Sequence, residues 1–200
     1  MTTFLLIRHG ETDALGHCLS GWRPNCHLNS TGKRQVQRLA RSLSGSKMQA
    51  IYSSPLERAF ETAEVLAEPH GLRPAIRDGL GELRFGDWEG QTFDALNRDP
   101  KWARFNETRS LVCPPGGEPA ILAQSRIVQE IDDLLSQHSN ETVALVSHLD
   151  PLRALVAHCL GMPLDFILRF DISPASVSRL SFVDGKPLVS YLNQTAGPLL

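Results

Sequence analysis

A histidine flanked by an arginine and a glycine directly follows a short apolar run near the N-terminus. The string Arg-His-Gly-Glu-Thr occupies positions 8–12, and the apolar run occupies Thr3–Ile7. A neutral imidazole can attack phosphorus without first losing a proton, and a guanidinium presents planar donors that match phosphate oxygens. Residue type and order therefore predict phosphoryl transfer to His9, with Arg8 as a phosphate ligand. Gly10 predicts a tight turn or a close approach of the backbone to a ligand.

Two further strand-like runs end in polar residues that could complete an anion site. The string Ser-Ser-Pro-Leu-Glu-Arg at positions 53–58 places Arg58 in the first turn of a predicted helix, and His148 follows the apolar run at 142–147. A helix N-terminus and a guanidinium together attract an anion. Taken alone, Arg58 could instead be solvated and paired with a neighbouring glutamate, and His148 could be structural. Because ligands collect beyond the carboxyl ends of strands in α/β sheets, the set as a whole predicts one site.

The elements that must position these residues follow from apolar periodicity and turn signals. Helices are predicted at 32–44, from Pro55 to about Pro69, at 118–137 and from Asp150 to Gly161, with Ser54 and Asp150 as N-caps; residues 79–115 are predicted to be irregular with one or two short helices. Strands are predicted at 3–7, 50–53, 75–76 and 142–147, followed by a hairpin of 177–183 and 188–192 around Asp184-Gly185. This alternation predicts an α/β sandwich with a mostly parallel sheet.

Together these strings resemble the histidine phosphatase superfamily, whose other well-known branch is the cofactor-dependent phosphoglycerate mutases. The resemblance covers nearly the whole chain and rests mainly on positions 8–12, on Ser-Ser-Pro-Leu-x-Arg-Ala-x-x-Thr-Ala at 53–63 and on the glycine- and aromatic-rich string at 81–90. It implies a single domain spanning residues 1–200, with a phosphoglycerate mutase-like fold of three layers in which helices cover both faces of the sheet. It also implies a histidine acid phosphatase-type phosphoric monoester hydrolase.

The resemblance assigns roles to individual residues. His9 would form a phosphohistidine while Arg8, Arg58 and a cationic His148 neutralise charge on the phosphoryl oxygens. Glu82 would protonate the leaving oxygen and then activate water, so we expect an environment that keeps this carboxyl neutral near pH 7. Because these groups supply the positive charge, we expect no metal and no cofactor. The substrate contacts implied are Thr12, Ser20, Gly21 and the backbone N–H of Leu149.

Several positions depart from the pattern of the family. Leu15 stands where many relatives have an asparagine, Asn25 stands where an aspartate is common, and Leu149-Asp150 replaces the usual pair of glycines after the second histidine. These changes bear on the substrate and leave the reaction itself intact.

Three functions stay open at this point. A mutase would be expected to carry a longer insertion with two arginines, whereas here the segment is short and only Arg109 matches, preceded by Thr108. This favours a hydrolase acting on a small phosphorylated metabolite over a mutase, and the complete catalytic set argues against a non-catalytic interaction protein.

Four aromatic residues could line a leaving-group pocket or belong to the core, namely Trp22, Phe85, Trp102 and Phe105. In addition, His17 and His27 could border the site.

Overall composition limits the classes of binding partner that the chain is expected to have. The 200 residues carry a formal net charge of −2 with both signs interspersed, which argues against nucleic-acid binding. The longest apolar runs are too short to span a bilayer, and the N-terminus lacks the layout of a secretory signal. The cysteines have no zinc-like spacing and are expected to be reduced: Cys18, Cys26, Cys113 and Cys159. We therefore expect a cytoplasmic enzyme with a small phosphorylated substrate and no membrane partner, while the oligomeric state, a homodimer included, stays open.

Overall fold

The computed structural model describes residues 1–196 and is built around one six-stranded sheet. The strands are β1 (Thr2–Arg8), β2 (Ala50–Ser53), β3 (Ala75–Ile76), β4 (Thr142–Ser147), β5 (Val177–Val183) and β6 (Lys186–Gln194). Their order across the sheet is β3-β2-β4-β1-β5-β6. The pairs β3–β2, β2–β4 and β4–β1 are parallel, whereas β1–β5 and β5–β6 are antiparallel. The mostly parallel central sheet is therefore confirmed.

Helices cover both faces of this sheet. The α-helices are α1 (Ser30–Leu43), α2 (Glu57–Ala67), α3 (Phe93–Leu96), α4 (Pro100–Glu107), α5 (Ala120–Gln137) and α6 (Leu149–Cys159). One buried cluster joins the sheet to α1 and α2, and a second joins it to α5 and α6. The predicted three-layer sandwich is confirmed by this arrangement. Within the described residues, no helix combines the length and apolar composition needed to cross a membrane.

Residues 4–7 of strand β1 are all apolar and buried because both faces of the strand are covered there. Leu5 and Ile7 pack into the cluster with α1 and α2, whereas Phe4 and Leu6 pack into the cluster with α5 and α6. Side chains alternate between the two faces of a strand, so a strand between two helical layers buries every residue. Packing from both sides fixes the end of β1, and His9 is the next residue along the chain.

Most predicted element bounds agree with the structure to within two residues. The hairpin turn is at Asp184-Gly185 as predicted, with φ values of 50° and 75° that glycine and aspartate tolerate better than most residues. Strand β6 is longer than predicted because it extends to Lys186 and Gln194. Its polar ends lie on an edge strand, where apolar alternation is not required.

The two predicted helix caps are wrong. The N-cap position of α2 is Leu56 rather than Ser54, and that of α6 is His148, so Asp150 lies inside the first turn. Neither N-cap residue makes a side-chain capping bond within residues 1–196. Both polar residues instead take part in contacts around the candidate site.

The irregular segment between β3 and α5 has a buried core of its own. It contains α3, α4 and two short 3-10 turns, at Asp78–Leu80 and Gly86–Trp88. Its apolar side chains pack with the start of α5 and with α6, among them Leu83, Phe85, Trp88, Leu96 and Phe105. This packing anchors the loop that carries Glu82.

Candidate active site

A cleft lies where β1 and β4 end, and the predicted site residues converge on it. The cleft encloses about 630 Å³, including the part open to solvent. Its walls include Arg8 and His9 at the end of β1, Arg58 in the first turn of α2 and Glu82 from the loop after β3. His148 is fully buried and is not part of the cleft wall, but its ring centroid is 5.1 Å from that of His9. The five predicted catalytic residues are therefore brought together, four of them on the cleft surface.

The hydrogen bonds of His9 define which ring nitrogen can react. Nδ1 lies 2.7 Å from the carbonyl oxygen of Gly10, to which only a protonated nitrogen can donate. Nε2 accepts from Nε of Arg58 at 3.3 Å. Burial, together with the positive charges of Arg58 and Arg8, holds the pKa of His9 well below its usual range. The network thus assigns a neutral ring whose lone pair is on Nε2, the form that a nucleophile requires.

Each of the two arginines donates to one backbone carbonyl and keeps a buried N–H group unpaired. Arg58 donates from Nη2 to the carbonyl oxygen of Gly21 at 2.8 Å, and Arg8 donates from Nη1 to that of Ile172 at 2.7 Å. Within residues 1–196, Nη1 of Arg58 and Nε of Arg8 are buried without a hydrogen-bond partner. Buried donors are nearly always satisfied in folded proteins, so these unpaired N–H groups of two cleft-lining arginines are available to an anion in the cleft.

His148 differs from the expectation in its charge. Its Nε2 is 2.7 Å from Oγ of Ser54, and that hydroxyl already accepts from the backbone N–H of Leu56. The hydroxyl is thus free to donate to Nε2, which places the ring proton on Nδ1, a buried atom without a partner within residues 1–196. Burial and the charges of Arg58 and His9 hold the pKa of His148 well below its usual range. These surroundings favour a neutral His148 ring over the cationic ring that the resemblance implied.

Glu82 has the environment expected of a general acid. Its side chain is almost fully buried, and Oε1 accepts from the backbone N–H of Leu83 at 2.8 Å. Burial, followed by the negative charge of Asp150, raises the pKa of Glu82 to about 7. The carboxyl can therefore gain or lose a proton near neutral pH.

The backbone of Glu82 is held by two residues that the sequence did not single out for this role. Nε1 of Trp22 and Nη2 of Arg126 both donate to the carbonyl oxygen of Glu82. Arg126 also donates to the carbonyl oxygens of Gly79 and Gly81, at 3.0 and 2.7 Å. Arg126 is one of several charged residues on α5, and nothing in its sequence spacing distinguishes it from a solvated helix residue.

All four predicted substrate contacts line the cleft, namely Thr12, Ser20, Gly21 and Leu149. Gly21 has φ of 51°, and a Cβ at this position would lie 2.5 Å from Cδ of Glu89. Glu89 accepts from the backbone N–H groups of Trp22 and Phe85, each at 3.0 Å, and so ties two walls of the cleft together. Only glycine fits at position 21 without displacing this brace.

Gly10 makes a close backbone approach to a neighbouring helix. Its φ is not positive, and a Cβ would lie 2.8 Å from Cγ2 of Val36 and 2.9 Å from the carbonyl oxygen of Gly32. This close approach is to helix α1, and Gly10 also lines the cleft. The backbone N–H of Gly10 donates to Oγ1 of Thr62 at 3.1 Å, which ties the nucleophile loop to α2.

The expected aromatic lining is only partly present. Phe85 lines the cleft together with Phe93, a residue that no sequence motif singled out. Trp102 and Phe105 pack in the apolar cluster around Trp88 instead. The two histidines considered as border residues, His17 and His27, do not line the cleft.

Asp150 has a partner that the sequence did not reveal. Its Oδ2 accepts from Nη1 of Arg109 at 2.7 Å, and both side chains are largely buried. The two residues are 41 positions apart, and in the sequence each could be assigned contacts with its near neighbours alone. The pairing is therefore visible only in the folded chain.

Comparisons with known proteins identify relatives of this chain. The chain is 35% identical over 197 residues to a bifunctional protein of Mycobacterium tuberculosis, a match that covers 97% of this chain but 54% of that protein. The chain thus spans about half the length of these mycobacterial relatives. Among solved structures, YhfR of Bacillus stearothermophilus superposes with a TM-score of 0.92 at 30% identity, covering 98% of both chains.

A second solved structure carries an activity in its name. A phosphoserine phosphatase from Entamoeba histolytica, in complex with 3-phosphoglyceric acid, superposes with a TM-score of 0.86 at 30% identity and covers 98% of both chains. A sequence model of the histidine phosphatase superfamily, branch 1, matches residues 4–195. The chain therefore belongs to branch 1 of the histidine phosphatase superfamily.

Proposed function

We propose that the chain is a phosphomonoester hydrolase that works through a phosphohistidine on His9, with a small phosphorylated metabolite as substrate. The main observation behind the proposal is that one cleft contains both a histidine without an added proton and a carboxyl group that can hold one. His9 is neutral with its lone pair on Nε2, while Glu82 has a pKa of about 7 and can hold a proton. A nucleophile and a general acid need these two states.

In the first step, Nε2 of His9 bonds to phosphorus as the bond from phosphorus to the ester oxygen breaks. Glu82 gives its proton to the departing oxygen. The unpaired N–H groups of Arg58 and Arg8, both on the cleft wall, donate to the equatorial phosphoryl oxygens, where charge accumulates, and the ring of His148 lies beside that of His9. These donors are already desolvated and oriented, so the protein spends little free energy on their reorganisation.

In the second step, the carboxylate of Glu82 removes a proton from water. The water oxygen bonds to phosphorus as the P–N bond to His9 breaks, and inorganic phosphate leaves. Glu82 ends protonated and His9 ends neutral, so the site returns to its starting state. The positive charge comes from arginine, and no step needs a metal ion.

Relatives support hydrolysis without identifying the substrate. The structural relative from Entamoeba histolytica is named a phosphoserine phosphatase, and other matched proteins include an adenosylcobalamin/alpha-ribazole phosphatase. A phosphoglycerate mutase-like protein also matches, so phosphotransfer between positions of one substrate is the second candidate.

Trapping the intermediate tests the proposal. The protein is mixed briefly with radiolabelled p-nitrophenyl phosphate and quenched, and we expect acid-labile, base-stable phosphate on the wild type and none on His9→Ala. Label that survives acid, as on serine, would contradict the role of His9. A wild type that hydrolyses no ester would indicate an interaction protein, and interconversion of phosphoglycerates would indicate a mutase.

A further inference from the structure

The buried ion pair of Arg109 and Asp150 lies at one wall of the cleft. The two residues differ in their exposure to the cleft. Asp150 lines the cleft, whereas Arg109 does not. Arg109 borders a smaller cavity between α5, α6 and the segment around Ile167, and Asp150 also lines that cavity. Asp150 is therefore the member of the pair that a ligand in the cleft can contact.

Arg109 is held in this position by further contacts. Its Nη2 donates to Oδ1 of Asn106 at 2.9 Å, and its guanidinium lies 4.5 Å from the ring centroid of Phe105. Only 4% of the Arg109 side chain is exposed. Turning this guanidinium towards the cleft would leave Asp150 buried without a partner, which is costly.

Among residues 1–196, the rest of the cleft offers no other cation to the leaving group. The charged residues of its wall are Arg8, Glu11, Arg58, Glu82 and Asp150. Arg8 and Arg58 both act on His9, since their charges lower its pKa, and they are committed to the phosphoryl end. The remaining charged residues of the wall are all carboxyls.

Five large apolar side chains also line the cleft, namely Leu15, Leu19, Phe85, Phe93 and Leu149. A carboxylate on the leaving group would lose its hydration against these side chains and would gain no counter-ion. It would also meet the negative end of the Asp150 pair, and juxtaposed like charges are unfavourable.

We propose that Asp150, held by Arg109, is a specificity-determining residue that selects phosphate esters whose alcohol carries no carboxylate. The proposal rests on the proposed hydrolase function and narrows its substrate class. It separates this chain from relatives whose names point to carboxylated substrates, such as phosphoserine.

Two matched pairs of esters test the selection. O-phosphoethanolamine is O-phosphoserine without its carboxylate, and glycerol 3-phosphate is 3-phosphoglycerate with the carboxylate replaced by a hydroxymethyl group. For the wild type we expect kcat/KM to be higher for the carboxylate-free member of each pair by about tenfold or more, as for one uncompensated like charge. Equal values, or a preference for the carboxylated esters, would overturn the proposal.

A charge substitution then tests the residue. Asp150→Asn keeps the shape of the side chain but removes its charge and releases the positive charge of Arg109. For each pair of esters, we expect the ratio of the two kcat/KM values to shift about tenfold towards the carboxylated ester. The ratio is the readout because Asp150 also raises the pKa of Glu82, so the absolute rates on both esters will change together.

Asp171→Asn is the matched control. Asp171 also pairs with an arginine, accepting from Arg153 at 2.9 Å, but it does not line the cleft. We expect this variant to keep the wild-type ratio. A shift of equal size in both variants would show a general charge effect and would contradict the role of Asp150. If Asp150→Asn fails to fold, the wild-type ratio still decides the proposal.

Binding separates this proposal from the proposed function. Dissociation constants of the same esters are measured by calorimetry on His9→Ala, which cannot turn them over. Tighter binding of the carboxylate-free esters supports the selection even if the wild type hydrolyses nothing, a result that would overturn the hydrolase function alone. Tighter binding of the carboxylated esters would overturn the selection whatever the turnover.

Discussion

Nε of Arg58 lies 3.3 Å from Nε2 of His9, so this guanidinium both borders the proposed nucleophile and contributes to its protonation state. The positive charge lowers the pKa of His9, in addition to the larger effect of burial. A second N–H of Arg58, at Nη1, is unpaired within residues 1–196. In the proposed reaction this arginine keeps His9 unprotonated and also binds the group that His9 attacks.

Replacing Arg58 should therefore cause a large loss of activity. The activity of the wild type should not require a metal ion. We expect Arg58→Ala to lose several kcal/mol of transition-state stabilisation, about 100-fold or more in kcat/KM. Wild-type activity should survive exhaustive treatment with EDTA, because arginine supplies the positive charge. Loss of activity with EDTA and recovery with magnesium would show that the charge is supplied differently.

The importance of Glu82 should depend on the leaving group. An alkoxide cannot depart without a proton, whereas p-nitrophenolate is stable at neutral pH. We expect Glu82→Gln to slow phosphorylation by alkyl esters by about 100-fold or more, and phosphorylation by p-nitrophenyl phosphate much less. The presteady-state burst is the appropriate measurement, since slow dephosphorylation does not affect it.

Glu130→Gln is the control for this substitution. Burial also raises the pKa of Glu130, but its carboxyl lies outside the cleft and faces Arg77. We expect it to change neither rate by more than about twofold, as for most substitutions away from a site. Equal losses on both substrates in Glu82→Gln would mean that Glu82 positions the loop or the phosphate, and the proton donor would then be sought at Glu11 or Asp150.

The pKa values predict an alkaline limit to the first step. Glu82 must be protonated to act as an acid, and its pKa is raised to about 7, so phosphorylation by alkyl esters should fall as pH rises above about 7. His9 must be unprotonated, and its pKa is held well below 6.5, so protonation of His9 should limit the rate only well below pH 6.5. A pH profile of the burst rate checks both limits. In Glu82→Gln the alkaline limb should disappear, and its persistence would assign that limb to another group.

Arg126 should act as a positioning residue for Glu82. Arg126→Met removes the donor to three backbone carbonyls of the Glu82 loop while keeping much of the side-chain volume. We expect alkyl esters to lose about 10- to 100-fold in burst rate through misplacement of the acid, with a smaller loss on p-nitrophenyl phosphate. Arg77→Met, which removes an arginine outside the cleft, is the control. A uniform loss on both substrates would indicate a general effect on stability instead.

The sequence by itself determined the chemistry at the strand ends and most of the architecture. β1 and β4 could be predicted because strands buried on both faces are apolar throughout, and a short apolar run followed by polar residues is typical of such a strand and its end. His9, Arg8 and Arg58 could be named because each lies within a few residues of a strand end or a helix start. For these residues, local order along the chain already limits where the side chain can lie.

Only the tertiary structure decided the pKa values of His148 and Glu82 and the pairing of Asp150 at the cleft wall. The pKa of His148 depends on burial and on Arg58, 90 positions away along the chain, and that of Glu82 depends on Asp150. The pairing of Asp150 with Arg109 and the support of Glu82 by Arg126 also join distant segments. Burial and Coulomb interactions depend on distance in space, which the order of residues does not specify until the chain has folded.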